Sequence, residues 1–333
     1  MLSPLPIGFA AGLSSALLFA AGARGHVLLA LLLFMLAPLP TFLAGLGWGP
    51  KSVTAAGVVG VVVTVLLRGG DPAILYLASI ALPVPILCWL AHLRRPAGPQ
   101  ASGGTAQPIL EWYPAGDLLA WIAVMAGLYA ALSILSMGSD IETVTQSVRA
   151  LVDRMIKAWV AVGGKQPTDA EMQAITGLFV RVLPAMSAMT WMFMILTNLW
   201  LAGRILRTSG RLFRAWPMLP ALHLPPIMTL GFAVALIFSF GSGIVALVAT
   251  GFASAFVVAY ALLGLAVIHW ITYGKSGRRF IIGAAYAAAL MLAPYGTLPI
   301  ALMGFLEPVL RLRSRTAGPP PPPAFDVPPK APV

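Results

Sequence analysis

Charge is nearly absent from this chain. Only 9% of its 333 residues are Asp, Glu, Lys or Arg, where a soluble domain carries about 25%. With 59% hydrophobic residues and a mean hydropathy of +0.91, water is excluded as the main solvent and a bilayer takes its place. Cysteine is reduced to Cys88, which rules out an intrachain disulfide; its apolar setting points to packing. Catalytic signatures are missing as well. There is no Gly-rich phosphate loop, no Gly-x-Ser-x-Gly elbow and no His-Glu-x-x-His pair. The histidines, His26, His92, His223 and His269, are scattered without metal-ligand spacing. No enzymatic activity, cofactor or metal is expected, and the chain cannot drive transport with ATP by itself.

What the sequence does have is long apolar runs. Ten candidate spans fall at about 5–22, 27–47, 53–67, 72–93, 115–137, 183–203, 226–240, 244–271, 280–292 and 296–310. The last two could also form one span broken at Pro294-Tyr295-Gly296. The first run lacks a basic leader segment and contains Pro4 and Pro6, so it reads as a span and not as a cleaved signal peptide. Backbone groups in lipid must be paired within the protein, and alternating polar strands are missing, so the spans are helices. The expected fold is all-α: a polytopic transmembrane helical bundle of about 8–10 spans over residues 1–311.

The few charges orient these spans. With both termini in the cytoplasm, the inner side carries Lys51, Arg94, Arg95, Arg204, Arg207, Arg211, Arg214, Lys275, Arg278, Arg279, Arg311, Arg313, Arg315 and Lys330, 14 basic residues against 4 acidic ones. The outer side has 7 against 6, most of them in one long loop. This is the positive-inside pattern of a bacterial cytoplasmic membrane. It also accounts for the net charge of +11 through topology and anionic headgroups, without nucleic acid.

The long outer loop, 138–182, is the one sizeable water-facing segment. Val144, Val148, Leu151, Val152, Met155, Ile156 and Trp159 have helical spacing, Gly163-Gly164 ends that helix, and Thr168 with Glu171 forms a capping-box pattern for a second. The expectation is a helical hairpin, either lying on the outer surface or acting as a lid. Residues 94–111, rich in Gly, Pro, Ser and Gln, read as a flexible cytoplasmic loop. Residues 312–333, with Pro319 to Pro323 in one run, read as a disordered cytoplasmic tail.

Within the spans the informative residues are prolines and small residues. Pro38 and Pro40 break the second span, Pro83 and Pro85 the fourth. Each proline removes a backbone donor, and freed carbonyls must face protein or a wet cavity. Shifting the chain by 45 residues lays Pro38-Leu39-Pro40 on Pro83-Val84-Pro85 and Ala10-Ala11-Gly12 on Ala55-Ala56-Gly57, as in a parallel repeat. Matched breaks of this kind mark transporter binding sites, although packed kinks would give the same pattern. Asn198, near Thr190, Trp191 and Thr197, is the best-placed polar ligand; a helix-to-helix hydrogen bond is the simpler role. Asp71, His269 and Glu307 fall near span ends and read as anchors. Gly8, Gly12, Ala16 and Ala20 form a small-residue stripe on the first span, for docking a helix of this chain or of a partner subunit.

The segment from Gly8-Phe9-Ala10-Ala11-Gly12 through Leu36-Ala37-Pro38-Leu39-Pro40 to Gly45-Leu46-Gly47-Trp48 resembles the YybS-like family of bacterial membrane proteins. The ending, Gly304-Phe305-Leu306-Glu307 with Arg311 and Arg313, is similar to that family's basic close. The resemblance implies a link to the substrate-binding membrane subunits of energy-coupling-factor vitamin transporters, where a small-residue stripe on the first span docks the coupling subunit; Gly8, Gly12, Ala16 and Ala20 would do so here. Two functions stay open: binding or transport of a small solute near Pro38, Pro40, Pro83, Pro85 and Asn198, or a non-transporting structural or assembly role in the cell envelope. The expected partners are the lipid bilayer, a membrane subunit and a small solute.

Overall fold

The computed structural model describes residues 3–21, 27–96, 110–292 and 295–316. Arg24, Pro294, Lys330 and the run Pro319 to Pro323 lie outside the described residues. The chain divides into two compact units: residues 1–122 with 193–223, and residues 123–192 with 224–318.

The first unit opens with α1 (Pro4–Ala21), α2 (Val27–Leu36), α3 (Pro38–Trp48) and α4 (Pro50–Arg68). Next come α5 (Gly70–Tyr76), a π-helical turn (Leu77–Ala81) and α6 (Pro83–His92). Gly49 and Gly69 end α3 and α4 at φ +88° and +90°, a region closed to most side chains. Each lets the next helix start at once, α4 with Pro50 in its first turn, where a missing N–H costs nothing. α1 and α4 run parallel and touch backbone to backbone. A Cβ at Gly8 would overlap the Ser52 carbonyl, and one at Gly12 the Ala56 carbonyl. The far face of α1, with Leu5, Phe9, Leu13 and Leu17, is exposed, as suits contact with lipid.

The segment expected as a flexible loop over 94–111 is structured at both ends. β1 (Arg94–Pro96) pairs antiparallel with β2 (Leu110–Trp112), and Arg95 Nε meets Glu111 Oε2 at 2.7 Å. The Arg95 guanidinium holds the Glu111 carboxyl below its ordinary range. Short polar linkers reveal such pairing poorly, because a three-residue strand has almost no pattern of its own.

After α7 (Ala115–Leu135) comes α8 (Ile141–Ala161), and then α9 (Asp169–Thr208). α9 joins what the sequence suggests are two elements, the second hairpin helix and the span 183–203, into one 40-residue helix, about 60 Å long. Pro184 sits inside it and prompts a reading of two helices; the helix continues through it. The second helix of the hairpin is therefore continuous with the span that follows it. Val144, Val148 and Val152 of α8 pack against Met172 and Val180 of α9, and the seam reaches Ile134 and Leu247 at the ends of the neighbouring spans. Asp140 caps α8 by accepting from Thr143 N–H at 2.9 Å, which holds its carboxyl below the ordinary range. The capping box forms: Thr168 N–H donates to Glu171 Oε2 at 2.7 Å, and Glu171 N–H to Thr168 Oγ1 at 3.3 Å.

The second unit closes with α10 (Ile227–Ser239), α11 (Gly243–Ile271), α12 (Arg278–Met291) and α13 (Thr297–Leu310). Residues 280–310 are thus two helices, not one span. Thr297 Oγ1 donates to the Ala289 carbonyl at 2.9 Å where α12 turns into α13. Trp270 Nε1 donates to the Arg313 carbonyl at 3.1 Å, so the hairpin enters and leaves at the C-terminal end of α11. Each arm is about 21 Å long, short of the roughly 30 Å hydrocarbon core. α13 packs on α11 at a second close crossing, Gly264 under the Ile300 carbonyl and Gly304 under that of Tyr260. Residues 312–316, expected in the disordered tail, fold back onto α13. Glu307, buried, accepts from Leu312 N–H and Arg313 N–H and pairs with Arg313 Nε at 3.0 Å.

Among the described residues, seven helical segments have the length and apolarity to cross a membrane, with α2–α3 and α5–α6 each counting as one; α10 and α13 are shorter apolar helices. The fold is an all-α, polytopic helical bundle. Gly12→Leu should prise α1 from α4 and lower stability by about 1–3 kcal/mol, read as a fall in the thermal midpoint in detergent. Leu13→Ala, on the exposed face of α1, should leave the midpoint nearly unchanged; equal midpoints for both variants would show that the crossing is dispensable.

Candidate site at the broken helices

Both proline pairs break their span at the same relative place, at Ala37-Pro38 and at Leu82-Pro83. The two breaks are made differently. At the first, the helix tightens: Ala37 N–H bonds the Phe34 carbonyl at 3.2 Å, three residues back. At the second, it widens: Leu82 N–H bonds the Leu77 carbonyl at 2.9 Å, five residues back, in the π turn. Such turns recur at functional sites. Pro38 and Pro83 are buried, and Pro40 and Pro85 half-buried. The helices that follow the breaks pack on each other, with Gly45 of α3 against the Cys88 side chain of α6.

Side chains take up carbonyls around the first break. Thr41 Oγ1 donates to Pro38 O at 2.6 Å. Ser15 Oγ of α1 donates to Ala37 O at 2.6 Å and accepts from the Tyr76 hydroxyl at 2.8 Å. The Tyr76 ring lies on Gly60, where a Cβ would overlap it, and meets Phe19 edge-on at 5.3 Å. Asn198 Nδ2 donates to Met35 O and to Met194 O, both at 2.7 Å. The double donation fixes the amide's orientation and leaves Oδ1 as its acceptor. That oxygen is buried and has no hydrogen-bond partner. Asn198 itself is 1% exposed, so the oxygen is an orphan of the kind that calls for a ligand or ordered water.

The structure thus sets Asn198 on the Met35 carbonyl, three residues before Pro38, and Ser15 on the Ala37 carbonyl beside it; Tyr76 stands just before the π turn that precedes Pro83 and Pro85, and neither of those prolines nor Pro40 is shown in contact with Asn198. Gly8, Gly12 and Ala16 are buried and Ala20 is half-buried; Gly8 and Gly12 face α4 of this same chain. Sequence reading missed Ser15 and Tyr76. Their signal was faint: Ser15 stands beside Ser14 and Tyr76 three residues before Ser79, and only the face that Ser15 shares with Gly8 and Gly12 sets it apart. The π turn left no such trace.

The remaining polar residues do other work. Glu307 is tied to Arg313, His269 stands edge-on to Tyr286, and Trp191 stacks on Tyr129 at 5.7 Å. Asp71 is exposed in the first turn of α5. Among the described residues no group of three His, Cys, Asp or Glu side chains is close enough to hold a metal. At the tip of the α8–α9 hairpin an open groove of about 380 Å³ runs between Trp159, Lys165, Pro167 and Glu171.

One comparison with known families bears on this architecture, a match to the family described as predicted membrane protein (DUF2232) over residues 14–307. The chain belongs to that family. The matched stretch takes in both breaks, the hairpin and α13 as far as Glu307. No curated protein and no solved structure matches the chain.

The hydroxyl relay gives a quantitative test. Tyr76→Phe keeps the ring and should cost about 0.6 kcal/mol, a typical bond between membrane helices. Ser15→Ala strands the Tyr76 hydroxyl and should cost about 1–2 kcal/mol. The double variant should be no less stable than Ser15→Ala alone, because the stranded group is gone. Additive losses in thermal or denaturant unfolding would break the relay.

Proposed function

We propose that this protein binds and moves a small solute across the bacterial cytoplasmic membrane, without catalysing a reaction, at the break of the second span. The observation that carries this reading is the orphan Oδ1 of Asn198, buried beside a helix whose regular bonding is interrupted. Broken helices whose free backbone groups meet at membrane depth are how secondary transporters build solute sites. An unpaired acceptor in that setting selects a solute that brings N–H or O–H donors. The resemblance to YybS-like proteins, and through them to substrate-binding membrane subunits, supports the same reading. Native mass spectrometry in mild detergent tests it: the wild type should carry a co-purified small molecule that Asn198→Leu loses. Bare wild-type protein, or a molecule held equally by the variant, would refute it.

A second reading, assembly of the cell envelope, is favoured by the hairpin tip. Met155, Trp159 and Val162 are exposed there at 56%, 58% and 80%. It predicts a partner protein, lost on trimming the tip, in the same measurement.

Both readings place the termini and the basic loops in the cytoplasm. Cys88 is buried, so single cysteines report topology cleanly. In intact cells Lys165→Cys should react with an impermeant maleimide, and Lys275→Cys only after permeabilisation. The reverse pattern would invert the assignment.

A further inference from the structure

One end of the first unit gathers arginines and indoles. Trp48 ends α3, Lys51 lies in the first turn of α4, and Arg94 stands in β1. Arg204 and Arg207 lie in the last turns of α9, and the following loop carries Arg211, Arg214 and Trp216. Gly47 against Leu206, the His92 ring 6.1 Å from that of Phe213, and Arg214 donating to Tyr113 O at 2.8 Å tie these segments into one surface.

These arginines lie over indole rings and not in salt bridges. Arg204 and Arg207 lie 5.9 and 5.5 Å from the centre of the same Trp216 ring; Arg211 lies 4.9 Å from that of Trp48 and Arg94 5.6 Å from that of Trp112. Among the described residues of this surface, the one cation with a carboxylate partner is Arg95, held by Glu111. Arg204, Arg207 and Arg211 are exposed. Two guanidinium groups on one indole are like charges held close with no counter-ion. A guanidinium held over a ring with no carboxylate partner keeps a fork of N–H donors that fits phosphate oxygens bidentately. Indole rings prefer the depth at which lipid headgroups lie, so rings and arginines together match an anion presented by the membrane itself.

We propose that Arg204 and Arg207 on Trp216, with Arg211 on Trp48, bind the headgroup phosphate of an anionic phospholipid. The site lies apart from the Asn198 break and does not depend on the solute reading. Bulk positive charge attracts an anionic leaflet anywhere along a basic face. The site over the indoles adds a fixed geometry, and that difference is measurable.

Full-length protein in detergent is titrated with phosphatidylglycerol and with phosphatidylcholine, and bound lipid is counted by native mass spectrometry. The wild type should prefer phosphatidylglycerol by about tenfold or more. Arg204→Gln with Arg207→Gln should erase the preference, and Arg204→Lys with Arg207→Lys should lose most of it despite keeping the charge. Arg149→Gln with Arg154→Gln, on the hairpin, should keep it. A wild type without preference overturns the proposal, as does a glutamine pair that keeps it. Lysine variants that bind like the wild type reduce the site to diffuse charge and also overturn it. Millimolar inorganic phosphate should leave the bound lipid in place; its displacement would reassign the site to free phosphate.

Discussion

A carbonyl that loses its helical donor in a membrane has no water to turn to, and this structure is arranged around that constraint. Two proline pairs interrupt two spans. The chain answers with a tightened turn at one, a π turn at the other, and hydroxyl and amide groups brought in from distant helices. Ser15 crosses from α1 to Ala37; Asn198 crosses from α9 to Met35. These bonds fix which helices are neighbours of the broken ones, which apolar contact alone specifies poorly in lipid. One amide oxygen is left over, and it is the feature that separates a candidate site from a packed kink.

Close helix approach is the second organising device. In each unit one parallel pair meets backbone to backbone at glycine, α1 with α4 and α11 with α13. With the small faces turned inward, the bulky residues of α1 remain for lipid. The stripe of Gly8, Gly12 and Ala16 therefore serves the intramolecular crossing. A partner subunit approaching α1 would meet Leu5, Phe9, Leu13 and Leu17.

Much of this was legible in the sequence. Each of the ten apolar runs falls on a helix, because length and apolarity are what a bilayer demands. The Thr168–Glu171 box and the glycines after α8 marked the hairpin's turn, since caps are local chemistry. The single 40-residue α9 was not legible, because Pro184 and the change from polar to apolar composition both resemble a boundary. The β-ribbon was lost in a linker rich in Gly, Pro, Ser and Gln, because strands of three residues carry no pattern of their own. At the site, Asn198 and the prolines stood out by type, whereas Ser15 and Tyr76 gained meaning from a contact 61 residues apart in the chain, which no local pattern encodes.

The short arms of the C-terminal hairpin have a consequence for biogenesis. Neither α12 nor α13 is long enough to be retained in a bilayer by hydropathy alone. Their stability is borrowed from α11, through the Gly264–Gly304 crossing and the turn clasped by Glu307, Arg313 and Trp270. During synthesis α11 can insert as an autonomous span, but α13 can settle only after α11 is in place to receive it. The seating of α13 is then a docking onto the glycine face of α11, in contrast to the spans that hydropathy alone can hold.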